Sequence, residues 1–239
     1  MIRGLIKKAL KNAGYIASRY DPRRDPDVVR NRFFELNSIN TVLDVGANAG
    51  QYGVRLRHLG YQGKIVSFEP LSSAFAKLME HAADDANWIT ERCALGDRDG
   101  GSSINIARNS WSSSLLEMLP RHVHAAPQSA YIGKEAVVIH KLDSLFELYV
   151  SPNDRVFLKI DTQGFTSKVL AGAEHSLKRI KGLEVELSTV PLYEGEPLIH
   201  DVLSCLYEKG FAVYYLEPEL IDDNCGQQLQ LNGLFHRRP

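Results

Sequence analysis

A carboxylate, two glycines and an asparagine occur at a spacing that suits nucleoside binding. Asp44-Val-Gly46-Ala-Asn48-Ala-Gly50-Gln51 places glycines where a strand turns into a helix, which lets a ligand approach backbone that a Cβ would block. Glu69, followed by Pro70, lies 19 residues beyond Gly50, where a carboxylate ending the next strand could accept from both hydroxyls of a ribose. Asp97, in Ala94-Leu95-Gly96-Asp97, lies beyond a third strand, within reach of an adenine. Dinucleotide enzymes and S-adenosyl-L-methionine (SAM) enzymes share this layout. A pyrophosphate needs glycine at the second position of the turn, and Asn48 stands there. SAM has no phosphate, and its ammonium could use Asp44 and nearby carbonyls, so the set favours SAM over a nicotinamide dinucleotide.

These residues need strand ends along one edge of a sheet. Strand-length apolar runs at 41–45, 64–69, 88–94, 155–161, 183–187, 211–216 and 229–235 alternate with helical stretches at 27–36, 51–58, 72–83, 165–180 and 198–209. The runs lack strict polar alternation, as expected of an α/β parallel sheet covered on both faces. Two more strands, 102–107 and 136–142, flank a Ser-, His- and Pro-containing stretch, which reads as an insertion (about 101–142) over the site. The expected division is an N-terminal helical cap and linker over 1–36 and a catalytic domain over 37–239.

Composition narrows the partners. The 239 residues carry 28 basic and 29 acidic side chains, a formal charge of −1, so nucleic acid is not the expected partner. Three scattered cysteines suggest neither a disulfide framework nor a thiolate metal site. They fit a reducing, cytoplasmic setting. No apolar run reaches the roughly 18–20 residues of a membrane span. Charge is unevenly placed: residues 1–32 hold nine Lys/Arg and three Asp, a local +6, against −7 for the remainder. There, Ile2, Leu5, Ile6, Ala9, Leu10, Ala13, Ile16 and Ala17 recur at helical spacing while Lys7, Lys8 and Lys11 fall on other faces. A basic amphipathic helix of this kind either covers the domain or lies on an anionic membrane surface. The oligomeric state is left open.

Several blocks together resemble the FkbM family of SAM-dependent methyltransferases: residues 43–51, Ser67-Phe-Glu-Pro70, 94–97, Ser112-Ser-Ser-Leu115, Leu142-Asp143, Leu158-Lys-Ile-Asp-Thr-Gln-Gly164, 169–173 and Glu184-Val-Glu-Leu-Ser188. The resemblance covers about residues 39 to 216. It implies a class I methyltransferase (Rossmann-like) fold, a seven-stranded mostly parallel sheet with a reversed final strand. It also implies O-methylation of a saccharide or polyketide-type hydroxyl. The family often carries an acidic residue two positions after the glycine of the Lys-Ile-Asp block, where this chain has Thr166. A nicotinamide-dependent oxidoreductase and a non-catalytic binding protein remain the alternatives.

Methyl transfer to a hydroxyl gains from alignment and from a base. Asp161 should end the strand beside the first and so face both the cofactor and the acceptor; the other reading is that Asp161 or Thr162 caps the next helix. His140, near the end of the insertion, and Glu186, inside an apolar strand, are further catalytic candidates. Trp111, Ser112, Ser113 and Ser114 offer an aromatic and hydroxyls to a polyhydroxylated acceptor, and Tyr193 and Glu194 should face the same mouth. Arg121, His122 and His124 do not amount to a metal site, and none is expected.

Overall fold

The computed structural model describes residues 2–15 and 19–238. Ile16 and Ala17 of the amphipathic pattern, and the side chain of Ile2, lie outside this description. After α1 (Ile2–Asn12), helix α2 (Pro26–Asn37) starts where Asp25 accepts from the backbone N–H groups of Asp27 and Val28 and Pro26 fixes the first turn. Three strands joined by two helices follow: β1 (Thr41–Val45), α3 (Gln51–His58), β2 (Lys64–Phe68), α4 (Ser72–Ala82) and β3 (Trp88–Glu91). The expected third strand divides here. β3 stays in the main sheet, whereas β4 (Ala94–Leu95) pairs in parallel with β6 of a second, three-stranded sheet.

That second sheet holds β5 (Gly100–Ala107) antiparallel to β6 (Tyr131–His140), with α5 (Pro120–Ala125) in the connection between them. The strand expected over 136–142 starts earlier and stops at His140; Leu142 opens α6 (Leu142–Tyr149). Leu142, Leu145, Phe146 and Tyr149 stand at i, i+3, i+4 and i+7, a helical spacing that turns one apolar face to the core.

The main alternation resumes with β7 (Val156–Ile160), α7 (Thr166–Ala171), β8 (Ile180–Ser188), α8 (Ile199–Glu208), β9 (Phe211–Pro218) and β10 (Gln230–Arg237). The helix expected over 165–180 ends at Ala171 and is followed by a separate 3-10 turn, Ser176–Arg179. A Cβ on Gly172 would lie 1.8 Å from the Gly96 carbonyl oxygen, so the loop after β4 crosses tightly against the helix end. Asp143 then accepts from the N–H groups of His175 and Ser176 and starts the new turn.

The seven main strands run in the order β3-β2-β1-β7-β8-β10-β9, and β10 alone runs opposite to the other six. This is the α/β, class I methyltransferase arrangement with its reversed final strand. Alternating residues of the central strands feed two cores. Leu43, Val45, Leu158 and Ile160 pack with α6, α7 and α8. Val42, Ile65 and Phe157 pack on the other face with Phe33 and Phe34 of α2 and with α3 and α4. α2, grouped by sequence with the terminal extension, is thereby built into the sheet's covering layer.

Candidate active site

A cavity of about 370 Å³ opens along the carboxyl ends of β1, β2, β4 and β7, where the order of an open α/β sheet reverses and leaves a crevice. β10, β9 and the serine-rich segment of the insertion close its other side. Three residues in its wall, Asn48, Ser110 and Gln163, are non-glycine residues with φ of 47°, 58° and 50°. Left-handed backbone is uncommon outside glycine and concentrates where surrounding structure holds a ligand site in place.

The first turn is stitched to the second by Glu69. Its Oε2 accepts from the Asn48 N–H and its Oε1 from the Leu71 N–H, both at 2.8 Å. Burial pushes this carboxyl up to about 7, against the pull of those two N–H groups. Pro70, Gly46, Asn48 and Gln51 also line the cavity, and Ala94 and Leu95 form its floor beside Leu71, Ile104 and Phe165.

The glycines answer to protein contacts as well as to ligand approach. A Cβ on Gly46, which has φ of 79°, would lie 1.8 Å from the Asp161 carbonyl oxygen. Gly50 is outside the cavity lining, and a Cβ there would meet Leu78 at 2.8 Å. Asp44 also differs from expectation. It is fully buried behind the wall, accepts from Ser67 Oγ at 3.2 Å, and faces Lys159 Nζ at 3.3 Å, so it acts on the cavity through Lys159.

Lys159 was not singled out by sequence. It lines the cavity with its ammonium 3.3 Å from both Asp44 Oδ1 and Asp161 Oδ2 and 5.2 Å from the centre of the Tyr52 ring. Burial alone would lower its pKa, but the carboxylates of Asp161, Asp44 and Glu184 outweigh burial and raise it. Asp44 is pushed upward by burial, with Lys159 opposing. The result is a lysine cation held between two carboxyl groups.

Asp161 lines the cavity as expected, and its Oδ1 accepts from Gln163 Nε2 at 3.1 Å. Gln163 also donates to Glu186 Oε1 at 3.0 Å and accepts from the Tyr193 hydroxyl at 2.7 Å. Glu186 lies behind this bridge, outside the lining. Burial, with Asp161, Glu219 and Glu196 nearby, holds its carboxyl well above the usual range, which suits a buried neutral acid and not a base. Tyr193 is likewise fully buried behind Gln163, and Glu194 is exposed outside the cavity.

His140 is set apart, in the second sheet, with Nδ1 3.1 Å from Asp99 Oδ1 and no place in the cavity wall. Asp97 pairs with Lys168 at 2.8 Å and is also outside the wall. The serines divide. Ser113 and Ser114 line the cavity, although their hydroxyls already bond to the chain, with Ser113 accepting from the Ala107 N–H and Ser114 donating to the Gln163 carbonyl. Ser112 is buried against Asn109. Trp111 lines the mouth and is 68% exposed. His122 lies in α5, edge-on to Tyr193, and burial lowers it to about 4. Among the described residues no cluster of three metal-ligating side chains occurs.

The far wall holds Glu184, Glu219 and Asn232. Arg30 of α2 donates to both Glu184 oxygens at 2.7 and 2.8 Å, and the Tyr52 hydroxyl donates to Oε2 at 3.1 Å. Asn232 Nδ2 donates to Glu219. Burial and then the charge of Asp161 push the Glu219 carboxyl up to about 7, although water reaches the rest of the residue and screens part of that push. Glu184 opens one of the family-like sequence blocks, but no local pattern marked Glu219 or Asn232.

The methyltransferase FkbM domain matches residues 44–213. A 2-O-methyltransferase, NoeI, from Sinorhizobium fredii (strain NBRC 101917 / NGR234) is 24% identical over 172 residues, 69% of this chain and 70% of that protein. Among solved structures, a rRNA methylase from Streptococcus thermophilus is similar at 13% identity and a TM-score of 0.46, over 93% of this chain and 100% of that one. Precorrin-6y C5,15-methyltransferase from Geobacter metallireducens GS-15 is similar at 11% identity and a TM-score of 0.45, over 93% and 92%. With the domain match spanning both strand-end loops and the Lys159–Asp161 block, this chain belongs to the FkbM family of methyltransferases.

Proposed function

We propose that this protein is a cytoplasmic, SAM-dependent O-methyltransferase acting on a hydroxyl of a saccharide or of a related glycosylated or polyketide-type product. The observation that carries the reading is one cavity lined by two chemically different sets of residues. In one set Glu69 has one N–H on each oxygen and lone pairs to spare for a ribose diol. The apolar side chains of Leu71, Leu95, Ile104 and Phe165 beside it suit an adenine. The other set is Asp161, Glu219, Asn232 and the exposed Trp111. An exposed indole gives a sugar ring an apolar face to stack on, and the Asn232 amide can bond its hydroxyls. The name of the NoeI relative supports a hydroxyl acceptor. Three free thiols support a reducing compartment, and no described helix is long and apolar enough to cross a membrane.

When bound, SAM supplies a methyl carbon on a sulfonium, open to in-line attack by an oxygen. The chain's own part is alignment and proton transfer. Asp161, fixed between Lys159 and Gln163, accepts the acceptor's hydroxyl hydrogen bond and sets its direction. Glu219, held by Asn232, takes the proton as the new bond forms.

The test pairs binding with turnover. SAM and its demethylated product at one hundred times their dissociation constants should each stabilise the fold by about 2.7 kcal/mol, while a nicotinamide dinucleotide gives no shift. Labelled methyl should then pass from SAM to hydroxylated glycans and not to amine acceptors. Stabilisation by the dinucleotide alone, or transfer to nitrogen, overturns the reading.

A further inference from the structure

The cavity does not account for α1. This helix carries no acidic residue, and its chemistry divides cleanly around the axis. Leu5, Ile6, Ala9 and Leu10 share one stripe, whereas Lys7, Lys8 and Lys11 occupy the other side. Lys8 lies about 60° round the helix from Leu5 and Lys7 about 60° from Leu10, so two lysines border the two edges of the stripe. The stripe is uncovered: Leu5 is 69% and Ile6 53% exposed, and only Leu10 is half-buried. None of the three lysines pairs with a carboxylate among the described residues.

We infer that α1 docks this protein on an anionic lipid bilayer, with Leu5, Ile6 and Leu10 entering the headgroup boundary and Lys7 and Lys8 meeting acidic headgroups at its level. Charge selects this occupant. The body beyond residue 32 carries −7 and is repelled by an anionic surface, whereas the first 32 residues carry +6 and are drawn to it. Lysines at the margins of an apolar stripe keep their ammonium groups in the polar layer while their methylenes and the stripe go deeper. A second copy of the helix is a poorer occupant. Eleven residues give a stripe about 16 Å long on a helix about 10 Å wide, an area on the order of 160 Å² against the roughly 800 Å² per partner of a stable interface, and it would bring like charges together.

Sedimentation of the full chain with vesicles tests this without any substrate, so its outcome is separate from that of the methyl-transfer reading. The chain should bind phosphatidylcholine vesicles containing phosphatidylglycerol and not phosphatidylcholine alone, and added salt should weaken binding. The double variant Leu5→Glu, Ile6→Glu and the double variant Lys7→Glu, Lys8→Glu should each weaken binding at least about tenfold. Both should keep the wild-type melting temperature, since neither pair enters the core. Equal binding to neutral vesicles, binding unaffected by either variant, or no binding to anionic vesicles overturns the inference. So does a dimer in sedimentation velocity that either variant abolishes, because the stripe then has a different occupant.

Discussion

Lys159 sets the electrostatics of the cavity, since its single positive charge is shared by a buried carboxylate behind the wall and an accessible one in it. Asp161 is thereby oriented from one side by Lys159 and from the other by Gln163, which leaves Glu219 as the less constrained acid facing the same space. The two acids should separate by kinetics. Burial holds the Glu219 carboxyl above its ordinary range, and with solvent screening part of that push, turnover under subsaturating acceptor should rise with pH at or below about 7 as the carboxylate forms. Glu219→Gln should lower the rate by about 10²–10⁴-fold and flatten that limb, while SAM affinity stays unchanged. A flat wild-type profile across neutrality, or a Glu219→Gln profile that keeps its rising limb, removes Glu219 as the base. Lys159 could have been flagged in the sequence, because a lysine inside Val-Phe-Leu-Lys-Ile has to find a partner if the strand is buried. Glu219 could not, since it follows an edge strand that meets the cavity only through the antiparallel return of β10.

Among the elements, α2 has the least obvious part in the site. It lies before the matched family region, yet it delivers Arg30 to Glu184 in the cavity wall across 154 positions of sequence. Arg30→Ala leaves a buried carboxylate without its cation and should cost about 3–5 kcal/mol, measured by urea denaturation. Loss of less than about 1 kcal/mol would mean that Tyr52 and water suffice for Glu184. The sequence made most elements legible, because β1, α3, β2, α4 and α8 each present an uninterrupted period between turn residues. It misled where tertiary contact cuts a local pattern. α7 stops because the loop after β4 presses on Gly172, and β3 parts from β4 because a second sheet offers β6 as a partner. The strand-end carboxylate Glu69 was legible for the opposite reason: its role follows from the spacing of two consecutive strands.

For the whole molecule, the buried acids impose an unusual pH dependence. Glu69 has a folded value of about 7, above its ordinary 4.5, so the native state holds a proton that the unfolded chain has released. Its contribution is therefore full below about pH 4.5, is lost as pH rises to about 7, and stays lost above; the change is about 3 kcal/mol. Glu69→Gln should remove that fall, giving a melting temperature that varies less than the wild type's between pH 5 and 7, and it should weaken SAM binding. Identical pH dependence in the two proteins would place the proton elsewhere.

The chain has two indoles in unlike surroundings: Trp88 is sealed under Gly50 and Gly53 and bonded to Ser67, while Trp111 stands in water at the cavity mouth. Aqueous iodide can therefore quench one emitter and spare the other. Unlabelled fluorescence thus resolves into one component that reports unfolding and another that reports occupancy of the mouth.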